Sequence, residues 1–373
     1  MNNKINLKQY SNSNVTIATL GSHSALDICR GAKDEGFKTL VVCEKGKEKT
    51  YNQYFNTKNN NGCVDECIVL NKFDEILKPD IQKKLISKNA IFLPHRSFEV
   101  YLHFNYKAIE QDFNVSIFGN KYLLKIEERG TKPNQYDLLK SSGIRYPLQF
   151  KDPKDIDRLC LVKVLEKERK FERAFFLVKN YKEYKKIVEE KLQKGIFTEE
   201  QLDKSVTEEF VLGTQVNFNY FYSPVNNRLE LLGTDMRRQT NIEGLLRLPS
   251  IYQTEVMEKI SVQYEEAGHI AVTVLESILE KVFEMGERFV KAAKDSYLPG
   301  VVGPFALQSI IIPGPPKKDI VVIDVSPRMP GSPGISSTPY SKYLFGESLS
   351  VGRRVAIEIK NAIKLKKLNK ILT

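Results

Sequence analysis

Residues 303–334, GPFALQSIIIPGPPKKDIVVIDVSPRMPGSPG, decide how the chain is read: two apolar runs flank a proline-rich reversal and carry a few polar residues between them. The second run, Ile320-Val321-Val322-Ile323, is β-branched, and Asp324, Ser326 and Arg328 follow at a spacing of two, which puts all three on one side of an extended strand. On the first run the matching polar residue is Gln308, and Pro313-Gly314-Pro315-Pro316 supplies the turn. The expectation is a hairpin whose polar face holds Mg²⁺ and phosphate. An ordinary buried strand ending in a solvated aspartate is the plainer alternative.

Working outward, the N-terminal part reads as α/β. Val15 to Leu20 is a β-rich run stopped by Gly21, helical spacing runs from Ala25 to Gly36, and Thr39 to Val42 is a strand again. Between the first strand and the helix lies Gly21-Ser22-His23-Ser24, a small polar turn at a helix N-terminus, where free N–H groups and the dipole favour an anion. His23 is either a ligand there or a simple turn residue. Further strands are expected at Cys67–Leu70 and Ala90–Leu93, the latter running into Pro94-His95-Arg96-Ser97. In an open parallel sheet the carboxyl ends of the strands line the binding crevice, so His23 and Ser97 both fall there by topology, with His95 and Arg96 equally near and not ranked by spacing. A last strand near Ile117-Phe118 closes this unit, and the boundary is set near residue 120.

The run from Lys121 to Pro147 reads as two helices ending at Gly143. Leu161–Leu165 is a short strand with Lys163 in its middle, and a second strand, Ala174–Val178, follows a charged connection. A lysine inside an apolar strand needs an anion or a route to solvent, and both remain open. Tyr181–Leu202 has helical spacing, Glu208-Glu209-Phe210-Val211 begins another strand, and Val216–Tyr222 alternates polar and apolar. After Leu229–Leu232 comes a polar run in which Arg237, Arg238 and Asn241 contact a phosphate or amide or simply line an exposed loop. One long helical region is expected from about Gln253 to Lys294, and an amphipathic helix over Ser350–Leu372.

Composition limits the function classes. With 373 residues, 41% hydrophobic and 28% charged, the chain is long enough for two or three packed units. No run approaches the roughly 20 apolar residues needed to span a bilayer, and MNNKINLKQYSNSN has no apolar signal core, so a cytoplasmic protein with no membrane partner is expected. The net charge of +11 would suit a polyanion, but lysines are interleaved with acids and lack the aromatic neighbours that stack bases, so nucleic acid is not the expected partner. The five cysteines sit in or beside apolar runs and read as reduced core thiols; Cys63 and Cys67 as metal ligands is the alternative.

Taken together, a small α/β unit, a lysine-bearing hairpin, an acidic strand start and the Gln308/Asp324 face resemble the ATP-grasp fold. More specifically, IATLGSHSALDICRGAKDEGF, FLPHRSF, GNKYLLKIEERG, EEFVLGT, NYFYSPVNNRLELLGTDMR, TNIEGLLRLP, GPFALQS, VSPRMPGSPG and SVGRRVAIEIKNAI resemble the archaeal PurP family of formate-dependent 5-formaminoimidazole-4-carboxamide ribonucleotide (FAICAR) synthetases. The resemblance implies an α/β and α+β architecture: a parallel-sheet pre-ATP-grasp domain (1–120), then an ATP-grasp domain (121–373) with a small lysine-bearing subdomain (about 121–212) and a large metal-binding one (about 213–373). It implies an ADP-forming ligase that acts on AICAR, formate and ATP with Mg²⁺ or Mn²⁺, and a homo-oligomer is expected. By motif match His23, Ser97 and Asn241 contact AICAR; Lys125 and Lys163 touch ATP phosphates; Glu208, Glu209, Phe210 and Val211 meet the adenine. Gln308 and Asp324 take the metal positions, and Arg328, with Asp324, acts at the transferred phosphoryl group. The loop after Lys163 has no glycine and Gln308 is neutral, so a ligase for a different carboxylate and amine, or a non-catalytic purine-nucleotide-binding paralogue, are the alternatives.

Overall fold

Alternation of β-branched runs with amphipathic helices produces a parallel sheet at the start of the chain, and two antiparallel sheets follow. The computed structural model describes residues 10, 14–59, 61–128, 130–164, 175–238, 242–259, 267–314 and 317–373. The first sheet contains β1 (Thr16–Leu20), β2 (Lys38–Glu44), β3 (Glu66–Leu70), β4 (Ala90–Phe92) and β5 (Ser116–Ile117) in the order β3-β2-β1-β4-β5, all parallel. The strand order reverses between β1 and β4, so the crevice beyond their carboxyl ends is a topological switch point.

A four-stranded sheet follows, β6 (Gln149–Phe150), β7 (Cys160–Lys163), β8 (Phe175–Val178) and β9 (Val206–Glu209), in the order β6-β9-β7-β8. Helix Tyr181–Gln193 belongs to it, and Ile156, Val162, Phe176, Val188 and Phe197 form a core of its own. The third sheet is antiparallel, with β10 (Thr214–Ser223), β11 (Arg228–Arg238), β12 (Gly268–Ala271), β13 (Gly303–Ile312) and β14 (Asp319–Ser326) in the order β12-β11-β10-β13-β14.

One face of this third sheet is covered by helix Leu279–Ser296, whose Val282, Met285 and Phe289 meet Phe218, Tyr220 and Phe305. Part of the opposite face joins the first sheet in a single core. Val15, Ile17, Ile28 and Ile91 pack in one cluster with Phe221, Leu232, Val302, Val355 and Ile359. Helix Val351–Lys364 carries the last two and crosses helix Ala25–Asp34 in backbone contact. A Cβ on Gly31 would lie 2.1 Å from the Arg353 amide nitrogen, and one on Gly352 would lie 2.2 Å from the Asp27 carbonyl oxygen, so only glycine fits at either position.

Within this core sits an ion cluster. Arg354 Nε donates to Glu230 Oε2 at 2.6 Å and Nη1 to Glu358 Oε2 at 3.0 Å, with the guanidinium carbon 4.0 Å from the Phe221 ring centre. Arg354 is 1% exposed and both glutamates 0%.

Four expectations from the sequence change. Residues 253–294 are not one helix: helix Ser250–Lys259 and helix Leu279–Ser296 are separated by β12, whose GHIA sequence carries no strand pattern and is held by pairing with β11. β11 continues through the polar stretch to Arg238, so Gly233 to Arg238 is strand, not loop. The two helices expected over 121–147 reduce to a 3₁₀ turn, Leu124–Glu127, and helix Gln135–Ser141, which starts at a capping box formed by Asn134 and Asp137. The last helix stops at Lys364, and Lys366 at φ 57° turns the chain back. Residues 371–373 then run beside β5, with Ile117 and Thr373 exchanging backbone hydrogen bonds of 2.9 Å. All five cysteines are free thiols. Among the described residues no helix is long and apolar enough to cross a membrane.

Candidate active site

Residues directly opposed in an antiparallel sheet share a face. Across the third sheet Asp235 on β11 stands opposite Asn217 on β10, Asn217 opposite Gln308 on β13, and Gln308 opposite Asp324 on β14. A polar row therefore runs across four strands on the face that β10 shares with Phe221 and the first sheet. The hairpin expected from the sequence is present, with Gln308 and Asp324 side by side; Gln308 Nε2 donates to Ser326 Oγ at 3.1 Å. Arg328 lies just past the end of β14.

Two oxygens of this row, Asn217 Oδ1 and Asp324 Oδ1, are buried without a hydrogen-bond partner. Such atoms cost about 1–3 kcal/mol each unless something answers them. A hard cation does so, and donors that are all oxygen suit Mg²⁺, so the residues fit the ion that the hairpin suggested. Among the described residues no three His, Cys, Asp or Glu side chains are grouped to hold a metal.

At the other end of the row, Asp235 is 1% exposed and receives three donors. Asn219 Nδ2 reaches its Oδ1 at 2.6 Å; Asn217 Nδ2 and His269 Nδ1 reach Oδ2 at 2.9 and 2.5 Å. Burial pushes this carboxyl up, but the hydrogen bonds from His269, Asn219 and Asn217 outweigh it and hold it below the usual range, so it is a carboxylate.

The switch point of the first sheet faces the same region. Gly21 to Ser24 leave β1 and Pro94 to Ser97 leave β4, and the two turns are tied by Ser97 Oγ donating to Ser22 Oγ at 3.0 Å. His95 is fully buried: its Nε2 donates to the Leu20 carbonyl at 3.0 Å and its Nδ1 accepts from the Ser97 amide at 3.3 Å. Desolvation, with a smaller effect from Arg328, pulls the imidazole down to about 4, so it is neutral. His23, at φ 50°, is exposed and lies with its ring centre 5.3 Å from that of His95. The loop after β14 closes over both turns: Ser24 Oγ donates to the Pro330 carbonyl at 2.6 Å, Met329 bridges to His95, and Gly331 lies against His23, where a Cβ would sit 2.6 Å from its Nε2. In the next residue, Ser332 Oγ is 2.9 Å from His269 Nδ1. The parallel and antiparallel sheets thus meet through one loop, with His23 on one side and His269 on the other.

Arg328 is buried between carboxylates, Nε donating to Glu99 at 3.2 Å and Nη2 to Glu127 at 2.7 Å; Arg96 pairs with the same two acids. Burial pushes Glu127 up to about 7 against the pull of Arg328 and Arg96. In the four-stranded sheet Lys163 is buried in an ion pair with Glu208, which also accepts from Tyr136 at 2.8 Å. Glu208 and Glu209 end β9, and Phe210 and Val211 carry the chain toward β10, with the Phe210 amide donating to Leu159 at 2.8 Å. Lys125 pairs with Glu110 at 2.8 Å, and no described contact joins it to the Lys163–Glu208 pair. Asn241 and the glycine-free connection at 166–173 lie outside the described residues.

Sequence reasoning missed Asn217, Asn219, Asp235 and His269. The signal was the polar half of the alternation in Val216–Tyr222, to which no role was given; Asn217 and Asn219 are 3% and 2% exposed.

Family profiles match two parts of the chain, one described as "Protein of unknown function (DUF1246)" over residues 17–150 and one as "Domain of unknown function (DUF1297)" over 183–373. The 5-formaminoimidazole-4-carboxamide-1-(beta)-D-ribofuranosyl 5'-monophosphate synthetase of Methanosphaera stadtmanae is 38% identical over 369 residues, covering 98% of this chain and 97% of that protein. Among solved structures, an IMP biosynthesis protein PurP from Thermococcus kodakaraensis is similar with a TM-score of 0.70 and 28% identity over 96% of this chain and 100% of that one. N5-carboxyaminoimidazole synthetase from Staphylococcus aureus shares the fold, with a TM-score of 0.53 and 16% identity over 90% of this chain and 78% of that one. The fold is ATP-grasp, mixed α/β with one parallel and two antiparallel sheets.

Proposed function

The chain belongs to the family of 5-formaminoimidazole-4-carboxamide ribonucleotide synthetases, the PurP family, and on that premise we propose that it formylates AICAR to FAICAR with ATP and formate in purine biosynthesis. As a member of that family it is an ATP-dependent ligase that forms a C–N bond. We divide it into a pre-ATP-grasp domain to about residue 120, a small subdomain to about 212 and a large one beyond, a division that the three sheets support.

Formate is a poor acylating agent until one of its oxygens becomes part of a phosphate ester-like bond, so two anions must first be brought together and screened. A formate oxygen takes the γ-phosphoryl group, ADP leaves, and the 5-amino group of AICAR then attacks the formyl carbon of formyl phosphate. Gln308 and Asp324 would hold Mg²⁺, or Mn²⁺ in its place, and the bound ion screens phosphate charge. Lys163 and Lys125 are assigned to the ATP phosphates, and Lys163 swaps its buried contact with Glu208 for phosphate when nucleotide enters. Glu208 to Val211 take the adenine through backbone groups, with the Glu208 carboxylate held by Tyr136. Arg328, fixed by Glu99 and Glu127, acts on the transferred phosphoryl. His23 and Ser97 hold AICAR from the switch-point side, where the start of helix Ala25–Asp34 suits its 5'-phosphate, and Asn241 holds it from the other.

The observation that carries this reading is the meeting of two half-sites: a polar row with an unanswered Asp324 oxygen on the large sheet, joined through residues 327–334 to the two turns of the parallel sheet. The test is coupled ADP release with AICAR, formate and Mg²⁺. Release is expected only when all are present, and Asp324→Asn is expected to lower it by about 10²-fold or more. Release that continues with other carboxylates in place of formate, or an unaffected Asp324→Asn variant, refutes the substrate or the metal assignment respectively.

A further inference from the structure

We propose that Gln135 is a nucleotide contact, its Nε2 donating to an oxygen of the ATP polyphosphate beside the cation position at Asp324. The inference rests on the reading above.

Gln135 opens helix Gln135–Ser141 and is completely buried. Its Oε1 accepts from the Val325 amide at 2.7 Å. A backbone N–H can only donate, so the atom that meets Val325 is the side-chain oxygen, and the nitrogen is turned away from it. That nitrogen is buried without a hydrogen-bond partner. Donors sealed from water with no acceptor are costly, and a fold that keeps them calls for something else to supply the acceptor.

The surroundings say what supplies it. β14 is the outer strand of the large sheet, and its amides at Val322 and Val325 are taken by the Arg145 carbonyl, at 2.9 Å, and by Gln135. The next residue of the helix reaches the other way: the Tyr136 hydroxyl donates to Glu208 at 2.8 Å, and Glu208 pairs with Lys163. Gln135 therefore stands where the large sheet and the Lys163-bearing sheet are tied together, the crevice assigned to ATP. Val325 follows Asp324, whose Oδ1 is also unanswered. An orphan donor and an orphan acceptor thus flank one strand residue without pairing with each other. A phosphoryl oxygen answers the donor, and the cation that accompanies it answers the carboxylate. The AICAR contacts are assigned to the switch-point turns, whereas Tyr136 ties this helix to the strand that leads into the adenine segment, so the phosphate is that of ATP.

An uncharged donor locked by Val325 adds direction rather than charge. Lys163 and the cation screen the polyphosphate, and Gln135 sets which oxygen faces Asp324. A trapped water also answers an amide, and the experiment separates the two.

Binding is measured by isothermal titration of the full-length protein with ATP and with AMP, in Mg²⁺ and without formate, with AICAR present to keep AMP out of the ribonucleotide site. A wild type that binds no ATP sinks the functional reading itself, and this inference with it. If the wild type binds, Gln135→Met is expected to weaken ATP by about 10- to 100-fold and to leave AMP, which lacks the outer phosphoryl groups, within about twofold. Gln135→Lys equally lacks an acceptor for Val325 but offers a donor, and is expected to bind ATP within about threefold of wild type. ATP binding by Gln135→Met equal to wild type, equal losses in the two variants, or a parallel loss of AMP overturns the proposal. A structure of the wild type with Mg²⁺ and a non-hydrolysable ATP analogue needs no variant to fold: a phosphoryl oxygen within about 3.2 Å of Nε2 is expected, and a water in its place overturns the assignment.

Discussion

Replacing Arg354 with methionine isolates the energetics that hold the large sheet to the first one. The guanidinium makes contacts of 2.6 and 3.1 Å to Glu230 and 3.0 and 3.0 Å to Glu358. Arg228 also reaches Glu230 at 2.7 Å, whereas among the described residues Glu358 has otherwise neutral donors, Ser223 Oγ at 2.8 Å and the Val225 amide at 3.3 Å. Methionine keeps the apolar stem against Phe221 but leaves a net negative charge among groups that water does not reach. Removing one partner of such a buried pair costs about 3–5 kcal/mol. The chain has 17 tyrosines and no tryptophan, so urea unfolding is followed by tyrosine fluorescence and circular dichroism. The expected loss is about 3–5 kcal/mol in the major transition, equivalent to a Tm lower by roughly 5–15 °C. Exchanging Arg354, Glu230 and Glu358 together for apolar residues of similar volume is expected to recover most of it. A single-variant loss below about 1 kcal/mol, or a triple variant worse than the single, refutes the view that desolvation of the orphaned carboxylates sets the cost.

Two other outcomes follow from the geometry. His95 is held down to about 4 in the folded chain against an ordinary 6.5, so unfolded chains bind more protons between those values. Its contribution, roughly 3 kcal/mol, is complete above pH 6.5 and is lost as pH falls through 4; a stability–pH curve for His95→Gln is expected to lack that slope. Gly31→Val drives a side chain into the backbone of residues 352–353, and since neither helix can yield without opening the shared core, a destabilisation above about 3 kcal/mol is expected by urea titration.

Much of the frame was legible in the sequence because strands bounded by glycine and proline carry a period that survives into the fold: β1, β2, β3, β4, β10 and the β13–β14 hairpin all lie where the pattern put them. Residues on that frame inherited their places, so Gln308 came to face Asp324, and the turns of His23 and Ser97 came together at the switch point. What escaped was set by pairing between distant segments. β12 exists because β11 offers an edge, and nothing in GHIA announces it. Asp235 was hidden inside a polar stretch that looked like loop, and Asn217 and Asn219 inside an alternation that normally means one wet face; the same pattern arises when both faces are covered and one of them is an active crevice. Within the amphipathic helix expected over Ser350–Leu372 nothing marked Arg354 and Glu358 as buried, and only the third dimension supplies Glu230.

The division of apolar residues among cores has a mechanical consequence. Val15, Ile17, Ile28 and Ile91 share one cluster with Phe221, Leu232, Val355 and Ile359, while the four-stranded sheet keeps its own. Two bodies that share a core cannot swing apart without opening a void in it, whereas a body with a private core can rock on its connections at small cost. The parallel sheet and the large antiparallel sheet therefore behave as a single anvil, with the turns of His23 and Ser97 and the Gln308–Asp324 pair at fixed separation, and the Lys163-bearing sheet is the hammer. On the proposed assignment, the distance between the switch-point turns and the hairpin is set by the folded chain, and rocking of the Lys163-bearing sheet changes only the approach of the nucleotide.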